Sequence, residues 1–121
     1  MAKVLIVDDS PAQIHTLTKL VENWGYEVLV AENGDQALKI AREEQPNVIL
    51  MDVVMPGMSG FQTTRKLSRD QTTHSIPVIF VSTKSSDTDR VWGMRQGATA
   101  YVTKPVNPEQ LHTAIADAVA A

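Results

Sequence analysis

No cysteine occurs anywhere in the 121 residues. That excludes a disulfide framework and thiolate metal sites. Long apolar runs are missing as well. The longest are about strand length, far short of the ~20 residues that span a bilayer as a helix, so no membrane association is expected. No run of lysine and arginine stands out and the formal net charge is −3, which gives no reason to expect nucleic-acid binding. The composition also lacks the polar excess of a disordered chain, with 43% apolar and 21% charged residues. What remains is a globular chain of single-domain length, able to bury a core without staples. A strand-like run follows directly on the N-terminus, so no signal peptide is expected. The expectation is a soluble, cytoplasmic, monomeric protein that forms one domain over residues 1–121.

Five short apolar runs rich in β-branched residues punctuate the chain: "VLIV" at 4–7, "EVLVA" at 27–31, "NVILM" at 47–51, "PVIFVS" at 77–82 and "AYVT" at 100–103. Segments of helical period separate them. Ser10-Pro11 reads as an N-cap followed by proline in the first turn. Ile14, Leu17, Thr18 and Val21 then recur at helical spacing, and Gly25 marks a stop. Asp35 is the expected cap of a second helix with Ala37, Leu38 and Ala41 on one face. Ser59 is the expected cap of a third, carrying Phe61, Thr64 and Leu67. Residues 86–96 make a fourth, ended by Gly97. Leu111, Ile115, Ala118 and Val119 form the stripe of the fifth. Strand and helix thus alternate five times. Continuous apolar strands between helices predict an α/β fold, an open doubly wound five-stranded parallel sheet. The expected topology is (βα)5 with the flavodoxin-like strand order 2-1-3-4-5.

In such a sheet all strand ends of one polarity share an edge, and ligands bind at the carboxyl edge. There the sequence places Asp8-Asp9 after the first strand and Asp52 after the third. Ser82-Thr83 follows the fourth strand and Lys104-Pro105 the fifth. Three converging carboxylates need a counter-ion. An all-oxygen donor set favours a hard cation, and Mg²⁺ is the usual one where phosphate is handled. A carboxylate beside Mg²⁺ is also a nucleophile towards phosphorus, giving an aspartyl-phosphate. Phosphoryl transfer asks mainly for positioning and charge neutralisation, with Lys104 supplying charge and Ser82 a hydrogen bond.

With "LIVDDS", "ILMDVVMPGMSG", "PVIFVSTK" and "GATAYVTKPV" in this order, the sequence resembles the receiver domains of two-component response regulators over essentially its whole length. The resemblance implies that Asp52 is the phosphoacceptor, with a histidine kinase as phosphodonor. It implies that Asp9 binds Mg²⁺ directly, Asp8 mostly through water, and that Asp52 and the backbone carbonyl of Val54 complete the protein ligands. Ser82 stands at the position of the switch hydroxyl and Tyr101 at that of the switch aromatic. Lys104 stands at that of the lysine, and the peptide before Pro105 is expected to be cis. Output is expected through the face of the fourth helix, fifth strand and fifth helix, with Arg90 and Met94 flanking Tyr101 and a downstream protein as target. The chain stops after its fifth helix, so no output domain is expected. It looks most like the stand-alone receivers of pilus-based twitching and chemotaxis-like systems, with a phosphate sink or relay as the alternative role.

Three side chains bear on the lifetime of a phosphoryl group. Val54 cannot hydrogen-bond a water, Thr83 is larger than the residue the family prefers, and Lys84 is a cation and no general base. Together they predict slow self-dephosphorylation. An aspartate-nucleophile phosphatase is the enzyme reading of Asp, Lys and Mg²⁺. That class needs its nucleophile on the first strand and a second aspartate two residues on, which the adjacent Asp8-Asp9 do not provide, so a non-enzymatic switch is favoured. A flavin carrier needs a hydroxyl- and glycine-rich phosphate loop where "DDSPAQ" stands. Met55-Pro56-Gly57 reads as a turn. His15, His74 and His112 are scattered and define no metal site. Trp92 lies one position off the Val91 face; packing at the edge of the core is favoured there over partial exposure as a partner anchor.

Overall fold

The structure is a computed structural model that describes residues 1–121. Five strands, β1 (Lys3–Val7), β2 (Glu27–Ala31), β3 (Val48–Met51), β4 (Val78–Ser82) and β5 (Ala100–Thr103), alternate with five helices. The helices are α1 (Pro11–Asn23), α2 (Gly34–Glu44), α3 (Gly60–Arg69), α4 (Asp87–Arg95) and α5 (Pro108–Ala120). The sheet is wholly parallel, in the order β2-β1-β3-β4-β5. The alternation and strand order expected from the sequence are those observed.

Local chemistry explains most helix starts. Ser10 Oγ accepts the Gln13 N–H at 3.3 Å, with Pro11 opening α1. At α3, Ser59 and Gln62 form a reciprocal capping box. Ser86 and Asn107 cap α4 and α5. One start differs from expectation. Asn33 and not Asp35 caps α2, its Oδ1 accepting the Gln36 N–H at 2.9 Å. Gln36 returns the contact by accepting the Glu32 N–H at 2.8 Å. Asp35 sits in the first turn instead, where a carboxylate still favours the exposed amides.

Successive side chains on a strand point to opposite faces, and the core divides accordingly. Leu5, Val7, Ile49, Met51 and Phe80 pack with Ala37 and Ala41 of α2 and Leu67 of α3. Val4, Ile6, Leu50, Ile79 and Val81 pack on the other face with Leu17 and Val21 of α1 and Leu111 and Ile115 of α5. The central strands β1, β3 and β4 are therefore covered on both sides. β2 lies at an edge and leaves Val30 exposed.

The expectation for Trp92 fails. Trp92 is 46% exposed, and Val91 and Met94 beside it are exposed too; of α4 only Gly93 is buried. The cause is space. A Cβ on Gly93 would lie 3.1 Å from the rings of both Phe80 and Tyr101, so α4 rests on the sheet through a glycine and its large side chains point outward. No helix is long and apolar enough to cross a membrane.

Candidate functional site

Strand register brings the acidic groups together. Val7 pairs with Met51, and the ladder continues one step, with the Asp52 N–H donating to the Val7 carbonyl at 2.9 Å. Asp8 and Asp52 thus leave neighbouring strands side by side. Across the sheet, Ser82 pairs with Thr103, and the Lys104 N–H donates to the Ser82 carbonyl at 2.8 Å. The register alone delivers Asp8, Asp52, Ser82 and Lys104 to one edge.

One carboxylate oxygen from each of Asp8, Asp9 and Asp52 lies within 4.8 Å of the others. Lys104 is the charge that links Asp8 and Asp52. Its Nζ donates to Asp8 Oδ2 at 2.8 Å and stands 3.7 Å from Asp52 Oδ1, with a side chain only 8% exposed. Asp8 is fully enclosed, and its other oxygen accepts the Ser10 N–H at 2.9 Å. Asp9 is exposed. Asp52 Oδ1 accepts the N–H of Val53 at 2.9 Å.

Burial pushes the Asp52 carboxyl above its ordinary value. Lys104 and the Val53 N–H pull it down, while Asp8 and Asp9 push it further up. Three carboxylates against one ammonium leave the cluster under-neutralised. The donor set is oxygen throughout and compact, which suits a small hard cation better than a soft one. The residues present therefore fit Mg²⁺.

Ser82 is buried and its Oγ accepts the N–H of Lys84 at 3.1 Å. The Tyr101 ring lies inside, 9% exposed, and its hydroxyl donates to the Lys84 carbonyl. Burial is also the chief reason its phenol is held above the ordinary value, against the opposing hydrogen bond of the Ser82 hydroxyl. The aromatic residue is thus already seated in the space beside Ser82. Arg90 lies over its ring at 6.0 Å and donates from Nη2 to Thr103 Oγ1 at 2.9 Å. Met94 is exposed, and Gly93 joins Arg90 against the ring. Thr83 and Lys84 are exposed, as is Val54 at 56%. Lys84 joins the site through its backbone, which links Ser82 to Tyr101. The Lys104–Pro105 peptide is cis.

Two contributors escaped the sequence reading. The backbone of Lys84 carries no residue-type signal at all. Gly60 donates its N–H to the Val53 carbonyl at 2.8 Å and seats the start of α3 on the loop after Asp52; nothing in "GMSGF" marks that glycine as different from Gly57. His15, His74 and His112 stay outside the site, and His112 stacks on Trp24 with ring centroids 4.4 Å apart.

Similarity to known proteins agrees with this geometry. Residues 4–116 match the family described as "Response regulator receiver domain". Protein PilH of Pseudomonas aeruginosa is 56% identical over 111 residues, covering 92% of each chain. Response regulator PleD of Caulobacter vibrioides is 40% identical over 110 residues, which are 91% of this chain and 24% of that protein. Among solved structures, the Vibrio cholerae chemotaxis protein CheY4 superposes with a TM-score of 0.90 at 34% identity, over 98% of both chains. An aspartate trio at the carboxyl edge of a 2-1-3-4-5 sheet has its explanation in this kinship: the chain belongs to the response regulator receiver domains.

Proposed function

We propose that this receiver is a phosphorylation-controlled switch that accepts a phosphoryl group on Asp52 from a histidine kinase. The observation that carries the reading is the Asp8, Asp9 and Asp52 cluster within 4.8 Å, with a nearly buried Lys104 bridging Asp8 and Asp52. An Asp52 oxygen forms the new bond to phosphorus as the bond to the donor's histidine nitrogen breaks. Lys104 stands where negative charge builds up on the phosphoryl oxygens and needs no rearrangement to meet it. Asp9, Asp52 and the Val54 carbonyl are the direct ligands in this reading, with Asp8 acting mostly through water. Mg²⁺, when held there, supplies the charge neutralisation that one ammonium cannot.

Ser82 then bonds the phosphoryl group and gives up its acceptor contact with the Lys84 N–H. Tyr101 holds the carbonyl of the same residue, so that exchange reaches the surface of α4, β5 and α5, a local bonding event biasing a two-state element. The kinship with PilH, matched over 92% of each chain, supports a stand-alone, cytoplasmic signalling element, not an enzyme, in a chemotaxis- or twitching-type pathway, with a protein as its target. The phosphatase reading is weakened by Ser10. It stands two residues after Asp8, where that class needs an acid, and spends its hydroxyl capping α1.

Incubation with acetyl phosphate and Mg²⁺ should add one base-labile phosphoryl group, seen as a single mass increment. Asp52→Asn should remove it and leave the circular dichroism spectrum unchanged. Undiminished labelling of a folded Asp52→Asn protein rejects the assignment.

A further inference from the structure

Trp92 stands between two open clefts on the α3–α4 side of the molecule. One, of about 320 Å³, is lined by Arg65, Ser68, Arg69, Trp92, Arg95 and Gln96. The other, of about 410 Å³, is lined by Ser59, Phe61, Gln62, Arg65, Trp92 and Gln96. They share Arg65, Trp92 and Gln96, so together they form one continuous groove beside the indole.

The chain has five arginines, and three of them meet in this groove. The other two are engaged, Arg42 with Asp70 and Arg90 with Thr103. Neither Arg65, Arg69 nor Arg95 forms an ion pair with a carboxylate. Arg65 donates from Nε to Gln96 Oε1 at 2.8 Å, a bond that does not use its two terminal nitrogens. Gln96 is buried and braced. Its Nε2 donates to the Trp92 carbonyl at 3.1 Å, and Ser68 Oγ donates to the Gln96 backbone carbonyl at 3.2 Å.

The groove floor is therefore fixed, while its charged heads are not neutralised. Three guanidinium groups held together without a counter-ion, on a chain of net charge −3, match carboxylates, which they bind in forked pairs. An exposed indole at the centre offers a flat apolar anchor, and Trp and Arg are the residue types that dominate binding hot spots. On the other flank of Trp92, Arg95 shares a cleft with Asp87, Thr88 and Val91, so the two arginines of α3, with no carboxylate in their clefts, direct the acidic part of an occupant to the α3 side.

We propose that this groove docks an acidic peptide segment of a partner protein, its carboxylates on Arg65, Arg69 and Arg95 and an apolar side chain on Trp92. The site is separate from the Asp52 pocket, and its test requires no phosphorylation.

The full chain carrying Trp24→Phe keeps Trp92 as its single indole. It is titrated with a synthetic peptide of alternating Glu and Phe, and with the same peptide carrying Gln for Glu, following Trp92 fluorescence and amide shifts by NMR. The Glu peptide should bind saturably, with shifts centred on α3 and α4, and more weakly as salt is raised. Arg69→Glu with Arg95→Glu should weaken it at least tenfold. Both side chains are exposed, and an unchanged melting temperature checks the fold. If that pair does not fold, Arg69→Gln with Arg95→Gln should weaken binding at least threefold. The proposal is overturned by no saturable binding at millimolar peptide, by equal binding of the Gln peptide, or by unchanged affinity of the folded arginine variants. Displacement by ATP at concentrations below the peptide's own dissociation constant also overturns it, and marks a nucleotide site instead.

Discussion

A Cβ built on Gly60 would lie 1.9 Å from the carbonyl oxygen of Asp52 and 2.9 Å from the Cα of Val53. Both obstacles are backbone, so neither can rotate away. Gly60→Ala should displace the loop after Asp52, destabilise the fold by roughly 1–3 kcal/mol in line with overpacking elsewhere, and slow labelling by acetyl phosphate. Chemical denaturation measures the first effect and a labelling time course the second; a variant matching wild type in both would show that α3 shifts freely. Val54 presents a different case. It is 56% exposed beside Asp52 and has no polar atom with which to orient an attacking water. Val54→Asn should speed loss of the phosphoryl group several-fold. An acceleration below about threefold, worth only ~0.7 kcal/mol of barrier, would mean that position 54 does not set the lifetime and would reopen the phosphate-sink reading.

Between elements, Asp70 is the tie. It follows α3, accepts the Thr72 N–H at 2.9 Å and the Thr72 hydroxyl at 2.7 Å, and takes Arg42 Nε of α2 at 2.8 Å. The Thr72 amide, then its hydroxyl, then Arg42 hold the carboxyl down to about 2, from an ordinary 3.8. A carboxylate whose folded pKa is depressed stabilises the fold above its unfolded pKa and loses that contribution as pH falls through the folded one. The stability gap between wild type and Asp70→Asn should therefore be full near neutrality and shrink between about pH 4 and pH 2. Urea titrations at fixed pH would show it, and a gap that stays constant down to pH 2 would refute the role. Helix α4 is the opposite kind of element. Gly93 is its one buried residue, and thin burial of this kind belongs to the mobile end of a structure.

For the molecule as a whole, the acidic edge is a cost that the rest of the core supports. Asp8, Asp9 and Asp52 repel one another, and only the folded chain assembles them. Mg²⁺ should therefore stabilise the native state by mass action, about 1.4 kcal/mol at ten times its dissociation constant. For a domain of this size that is roughly 4–8 °C in melting temperature. Asp9→Asn should be at least as stable as wild type without Mg²⁺ and lose most of the response. A wild-type melting curve indifferent to millimolar Mg²⁺ would remove the metal from the reading.

The sequence by itself determined the alternation of strands and helices, because period and punctuation are local properties. The strand runs at 27–31 and 100–103 and the caps Ser10 and Ser59 all stand where expected. It also determined which side chains reach the carboxyl edge, since a parallel sheet sends every strand end to the same side. Tertiary structure alone decided what those side chains touch. Lys104 meets Asp8 at 2.8 Å across 96 residues of chain, and Lys84 serves through its backbone, which no residue type announces. Trp92 faces out because the Phe80 and Tyr101 rings fill the space beneath Gly93. No lysine–arginine run marked a basic patch, yet α3 and α4 bring Arg65, Arg69 and Arg95 to one groove. Each of these depends on how elements distant in sequence pack, a quantity that periodicity does not encode.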